Sequence, residues 1–227
     1  MIPWVQLDTA KTPDGGHELR LKQRGAEFSI MLGSNELMNS RLSGSEQALA
    51  RLSCQRISGR RQPKILIGGL GMGFTLRAAL AELGADAGIV VAELVPAVVA
   101  WARGPMASLF GGCLDDPRLT IREADVGQVV RSEASAWDVI LLDVDNGPEG
   151  IVHKANDALY SIAGLISARA ALKPGACWRS GRRHPTAVLP AGSSRRASPS
   201  TKSRSAPMAS AAHATSSGSR PTDPGLL

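Results

Sequence analysis

The feature that most constrains this fold is the alternation of strand-like and helix-like segments after Pro63. Residues 65–67, 89–91 and 139–142 are continuous apolar runs, which are typical of strands buried on both faces. The alternation therefore predicts an α/β fold with a parallel sheet covered by helices. The successive segments are KILIGG, TLRAALAEL, GIVVAEL, PAVVAWAR, RLTIREAD, WDVILLDV and ANDALYSIAGLISARAAL.

The segment before this alternation has a different pattern. Residues 17–32 alternate apolar and polar positions around Gly25, which predicts a small antiparallel hairpin. Residues 43–57 carry apolar residues at helical spacing and predict a connecting helix. Ser43 is its candidate N-cap, and Glu46 follows three positions later, as in a capping box.

A glycine-rich turn and an acidic residue predict a nucleotide site. Gly69, Gly71 and Gly73 lie in ILIGGLGMGF, between a buried strand and a helix that starts near Thr75. Glycines there let the backbone approach a bound group, and the helix N-terminus supplies free N–H donors. Chance glycines also occur in such turns, so this signal alone is weak. Glu93 ends the next strand about 20 residues later, the spacing at which a carboxylate meets ribose hydroxyls in nucleotide-binding βαβ units.

Further acidic residues follow the later strands. Asp125 closes the strand in IREAD, at the same edge of the sheet, where it can accept from an adenine amino group. Asp143 and Asp145 follow WDVILL, beside the switch point at which ligands of open α/β sheets bind. Asp143 is the candidate catalytic residue, because an aspartate there can orient and deprotonate an attacking amine or hold the cationic donor. An Asx turn that opens the following loop equally explains Asp145.

In order and spacing, these motifs resemble those of the polyamine aminopropyltransferases, the spermidine synthase family. The resemblance covers about residues 17–175, through NELMNSRLSGSEQALARL, IGGLGMGFTLR, VVAELVPAVVAWAR, DDPRLTIREAD and WDVILLDVDNGPEG. It implies a small N-terminal β unit joined to an S-adenosylmethionine-dependent methyltransferase-like Rossmann fold. It also implies that Glu93 holds the ribose, Asp125 the adenine and Asp143 the reacting amine. The family's reaction moves an aminopropyl group from decarboxylated S-adenosylmethionine to putrescine.

The chain departs from the family pattern at three places. Met72 stands where the family has an acid that grips the aminopropyl amine of the donor, and Asn146 stands at the second loop acid. The family also has an aromatic residue that lines its diamine pocket, and the corresponding position in this chain is near Gly44. A diamine needs anionic or aromatic partners for its two ammonium groups, so these departures weaken the expectation that putrescine is the acceptor.

The sequence therefore favours three functions, and it ranks last a fourth, nonspecific nucleic-acid binding through the basic C-terminal residues. The first is aminopropyl transfer from decarboxylated S-adenosylmethionine, and the second is methyl transfer from S-adenosylmethionine. The third is an inactive, truncated remnant of either enzyme. The expected partner is a small-molecule amine acceptor, with no metal, membrane or specific nucleic-acid partner, and a homodimer is compatible with the sequence.

The C-terminal residues differ in composition from the rest of the chain. Residues 176–227 contain 8 Lys plus Arg and 1 Asp or Glu, whereas residues 1–175 contain 18 and 19. The segment is rich in Ser, Ala, Pro and Arg and poor in large apolar residues, which predicts a disordered basic tail. We therefore divide the chain into an N-terminal β-hairpin unit (1–42), a Rossmann-like nucleotide-binding domain with its leading helix (43–175), and this tail (176–227).

The tail begins where another strand is due, since ALKPG at 171–175 resembles a helix end and a turn into the sheet. A second reading frame joins the last base of each codon to the first two bases of the next. In that frame Cys177 and Trp178 specify Leu, and the next codons permit Ala-Val-Trp-Ser-Ala, a strand-like run. Residues 212–220 permit a second such run. Two interpretations follow, a natural basic tail or a frameshift near Ala176, and sequencing the gene distinguishes them.

Cysteine usage and hydropathy exclude several classes of protein. The three cysteines, Cys54, Cys113 and Cys177, are widely spaced and form no CxxC pair, which favours free thiols over a zinc site or disulfides. No apolar run approaches the roughly 20 residues of a membrane helix. The N-terminus lacks the basic start and apolar run of a secretory signal. We therefore expect a soluble, cytoplasmic protein.

Overall fold

Two sheets and a set of short helices make up the computed structural model, which describes residues 2–13, 15–143 and 158–180. The strands are β1 (Val5–Lys11), β2 (Glu18–Arg24), β3 (Glu27–Leu32), β4 (Asn35–Asn39), β5 (Lys64–Gly68), β6 (Gly88–Glu93), β7 (Leu119–Glu123), β8 (Trp137–Leu142) and β9 (Leu172–Ser180). The helices are α1 (Gly44–Gln55), α2 (Phe74–Glu82), α3 (Pro96–Arg103), α4 (Ala107–Phe110), α5 (Val126–Ser132) and α6 (Ile162–Ala171), with a 3-10 turn at Cys113–Asp115.

The N-terminal strands form an antiparallel sheet in the order β1-β2-β3-β4. The hairpin expected around Gly25 is present as β2 and β3, and β1 and β4 extend it to four strands. Alternate residues of β2 and β3 point inward, so that Leu21 and Ile30 are fully buried. They belong to the same apolar core as helices α1, α2 and α3, and this core joins the N-terminal sheet to the α/β domain.

The α/β domain contains a parallel sheet in the order β7-β6-β5-β8-β9. Both faces are covered, as the continuous apolar runs predicted. Ile65 and Val139 pack on the side of α1, whereas Leu66 and Ile140 pack on the side of α5 and α6. The chain leaves β5 toward β6 and later returns to its other side as β8. A crevice is therefore expected at the carboxyl ends of β5 and β8, where ligands bind in sheets of this kind.

A buried carboxylate stabilises the opposite edge of this sheet, where the amino ends of the parallel strands lie. Asp138 on β8 is 2% exposed and accepts hydrogen bonds from three donors. The donors are Nη1 of Arg60 at 2.5 Å, the backbone N of Lys64 at 2.8 Å and Nζ of Lys173 at 2.6 Å. One side chain thus ties the loop after α1 to the first residues of β5, β8 and β9.

Helix α1 begins after Ser43, but the expected capping box does not form. The hydroxyl of Ser43 accepts from Nε2 of Gln47 at 2.9 Å and makes no hydrogen bond to a backbone amide of the first turn. The carboxylate of Glu46 accepts from the hydroxyl of Ser45 at 2.7 Å. The Ser43 hydroxyl and the Glu46 carboxylate therefore bond to neighbouring side chains and not to the backbone amides of a capping box.

Strand β9 runs to Ser180, five residues into the segment expected to be disordered. Cys177 and Trp178 are buried and pair with β8, and this burial favours the extended conformation over disorder. Among the described residues, none accepts a hydrogen bond from the buried Nε of Arg179 on the same strand. The rest of the predicted tail, residues 181–227, lies outside the described residues.

The three cysteines are free, as predicted, and burial is the main influence on their chemistry. Burial, together with the nearby Glu82 and Cys177, raises the pKa of the Cys54 thiol to about 12. Within the described ranges, no three His, Cys, Asp or Glu residues are grouped so that they could hold a metal ion. None of the helices in those ranges is long and apolar enough to cross a membrane.

Candidate functional site

The glycine-rich turn connects β5 to α2 along the carboxyl edge of the sheet. Gly69, Gly71 and Gly73 all have positive φ angles, of 91°, 51° and 76°. At Gly71 a Cβ would meet only the Met38 side chain at 3.4 Å, so this glycine borders open space. At Gly73 a Cβ would overlap the ring of Phe110. The predicted ligand role therefore suits Gly71, whereas Gly73 is required for packing at the start of α2.

Glu93 lies at the end of β6, next to this turn, and is 7% exposed. Its Oε2 accepts from the backbone N of Leu70 at 2.8 Å, and its Oε1 accepts from the backbone N of Val95 at 2.8 Å. Burial raises the pKa of Glu93, although these amides favour its charged form. The backbone amides of Leu94 and Gly71 also favour the charged form, so four amides of the turn and of the strand end surround this carboxylate.

Asp125 lies at the same edge, where it is the N-cap of α5. Its Oδ1 accepts from the backbone N of Gly127 at 2.8 Å, and its Oδ2 lies 3.7 Å from Nη2 of Arg131. The backbone carbonyl of Glu93 accepts a hydrogen bond from the backbone N of Ala124. Asp125 is the next residue, so it lies close to Glu93, the candidate ribose-binding residue. Capping therefore gives Asp125 a structural role, and its adenine contact stays a prediction.

Asp143 follows β8, on the other side of β5 from Glu93. Its backbone N donates to the carbonyl of Gly68 at 3.0 Å, which holds it beside the glycine-rich turn. Its Oδ2 accepts from Oγ1 of Thr75, on α2, at 2.5 Å. Thr75 could not be predicted as a site residue, because a threonine in the first turn of a helix carries no distinctive sequence pattern.

Asp143 also lines a small pocket between the two sheets. The pocket is formed by Met38, Asn39, Glu46, Gly71, Met72, Phe74 and Asp143. Its volume is about 30 Å³. The contribution of β4 through Met38 and Asn39 was not predicted from the sequence.

The pocket combines carboxylates with apolar side chains. Glu46 and Asp143 are its acidic residues among those described, and Met38, Met72 and Phe74 are its apolar ones. Met72 is buried in the main core and occupies the position at which the resemblance leads one to expect an acid. Asp145 and Asn146 lie outside the described residues.

No protein-family model and no curated protein matches the chain. A spermidine synthase in complex with the transition state analogue AdoDATO aligns with a TM-score of 0.60 at 19% identity, covering 77% of this chain and 55% of that chain. Spermidine synthase from Thermotoga maritima gives 0.61 at 20% identity, covering 77% and 56%. A probable spermidine synthase from Corynebacterium glutamicum ATCC 13032 gives 0.50 at 14% identity, covering 76% and 62%.

The protein has a spermidine synthase-like fold. The predicted α/β class, a methyltransferase-like Rossmann domain with an N-terminal β unit, is confirmed. At these low identities the likeness establishes the fold alone. The chain spans just over half the length of the first two spermidine synthase chains it matches.

Proposed function

We propose that this protein is a transferase that moves a group from an S-adenosyl donor to an amine held at Asp143. The observation that carries the proposal is the meeting of the glycine-rich turn, Glu93 and Asp143 at the carboxyl ends of β5, β6 and β8. Aminopropyl transfer from decarboxylated S-adenosylmethionine is our first candidate reaction, because the fold is spermidine synthase-like.

The carboxyl edge of the sheet supports donor binding. Gly71 allows a bound group to approach the turn, and Glu93 places a carboxylate beside it that would accept from the hydroxyls of a ribose. Asp125 lies further along the same edge, where its carboxylate would accept from the adenine amino group. The donor would thus extend along the edge, with its sulfonium toward Asp143.

The chemistry requires a neutral amine next to the sulfonium. The amine nitrogen attacks the carbon bonded to sulfur, a C–N bond forms, and the C–S bond breaks with its electron pair passing to sulfur. The sulfonium becomes a neutral thioether, and the amine proton passes to the Asp143 carboxylate. Holding both reactants in line supplies much of the rate enhancement in such a reaction.

One observation favours methyl transfer as a second candidate. The aminopropyl chain of the decarboxylated donor ends in an ammonium group, which needs an anionic partner when it is buried. Met72 places an apolar side chain in the glycine-rich turn at this part of the pocket. A methyl donor would use the same glycine-rich turn, Glu93 and Asp143, and only the transferred group would differ.

The test is to incubate the purified full chain with each donor and with amines that include putrescine, and to identify the products by mass spectrometry. Aminopropyl transfer yields an aminopropylated amine together with 5′-methylthioadenosine. Methyl transfer yields a methylated amine together with S-adenosylhomocysteine. We expect the first pair of products. The second pair would establish the alternative, and a folded protein that forms neither product would support the inactive remnant.

A further inference from the structure

Thr75 supplies a buried hydroxyl to the proposed catalytic residue. It is the second residue of α2 and is 2% exposed. Its Oγ1 donates to Oδ2 of Asp143 at 2.5 Å. Valine has nearly the same shape and would fill the same space, so packing alone does not require a hydroxyl here. The hydroxyl therefore points to a role in the hydrogen bond itself.

Both partners of this hydrogen bond are held by the surrounding structure. Gly73 packs against the Phe110 ring, and its carbonyl accepts from the backbone N of Arg77, which fixes the first turn of α2. On the other side, the backbone N of Asp143 donates to the Gly68 carbonyl. The position of Thr75 relative to Asp143 is therefore set by the sheet and the helix.

We propose that Thr75 is a positioning residue, which orients the Asp143 carboxylate toward the amine through this hydrogen bond. The inference rests on the proposed function. A carboxylate after the last residue of a strand can rotate about its side-chain torsions, and a hydrogen bond to one oxygen selects one orientation. Small displacements of a catalytic group cost rate far more than they cost binding.

The test compares Thr75→Val, which removes the hydroxyl, with Thr75→Ser, which keeps it. We expect Thr75→Val to lower kcat about 10- to 100-fold while donor affinity stays close to that of the wild type. Thr75→Ser should recover most of the rate, because it restores the donor. Ser53→Ala, which removes another fully buried hydroxyl from the last turn of α1, is the matched control and should leave kcat unchanged.

A double-mutant cycle separates positioning from a structural role. If Thr75 acts through Asp143, adding Thr75→Val to Asp143→Asn causes little further loss of kcat. A Thr75→Val protein with wild-type kcat, or a Thr75→Ser protein as slow as Thr75→Val, would overturn the positioning role alone. A folded wild type that transfers no group to any amine would overturn the proposed function, and the positioning role would fall with it.

Discussion

Replacing Asp143 with asparagine should lower kcat/KM for group transfer about 100- to 10,000-fold, the usual contribution of a positioned general base. Asparagine keeps the size of the side chain and its ability to accept from Thr75, but it cannot take the amine proton. Donor binding should change little, because the donor contacts that we propose lie at the glycine-rich turn and Glu93. Steady-state kinetics and donor titration of the same preparation measure both effects.

The matched control for this variant is Asp115→Asn. Asp115 lies in the 3-10 turn, with its side chain 82% exposed and an ion pair to Arg103 at 3.2 Å. Its replacement should leave kcat/KM unchanged. An Asp143→Asn protein with wild-type turnover would contradict the assignment of Asp143 as the base, and a loss of donor binding instead of rate would place it in the donor site.

Replacing Asp138 with alanine should lower the free energy of unfolding by about 2 to 4 kcal/mol. The change leaves the guanidinium of Arg60 and the ammonium of Lys173 without their shared carboxylate, and it leaves the backbone N of Lys64 without its acceptor. The two cations are 28% and 33% exposed, so solvent offsets part of the loss. Urea unfolding followed by circular dichroism measures it, and Asp115→Ala should change stability by less than about 0.5 kcal/mol.

The same carboxylate sets a pH window for stability. Burial alone would raise the pKa of Asp138, but hydrogen bonds from Lys173, Lys64 and Arg60 outweigh it and hold the pKa below the usual 3.8. Its stabilisation is therefore present above the unfolded value and is lost as the pH falls through the lower, folded value. Wild-type stability should fall more steeply in acid than that of Asp138→Ala. An equal loss of unfolding free energy in acid for the two proteins would contradict this role.

The sequence predicted the parts of the fold that local patterns determine. The runs that became β5, β6 and β8 are buried on both faces, and such strands need continuous apolar residues. By contrast, β1 and β4 were missed. The residues of β1 are mostly exposed, and those of β4 are exposed or half-buried, so neither strand has a strict apolar alternation.

Contacts between distant residues account for what the sequence could not predict at the site. In the sequence, Asp138 is a single polar residue within an apolar strand, and nothing there indicates its partner Arg60, which is 78 residues away along the chain. Thr75 lies 68 residues from Asp143, and only the folded sheet brings the two together. The acidic residues were found because the carboxyl ends of parallel strands share one edge. The side chains that support them depend on tertiary packing.

The most direct test of the central claim, an S-adenosyl donor site at the glycine-rich turn, is calorimetric titration of the full chain with S-adenosylmethionine and with its decarboxylated form. The comparison is between wild type, Glu93→Gln and Glu123→Gln. Glu123 is exposed and lies opposite Glu93 in the register of β6 and β7, which makes it the matched control. We predict that wild type and Glu123→Gln bind a donor equally, and that Glu93→Gln binds it about 10- to 100-fold more weakly, the effect of losing hydrogen bonds to a charged group. A folded wild type that binds neither donor, or a Glu93→Gln protein that binds as tightly as wild type, would contradict the account.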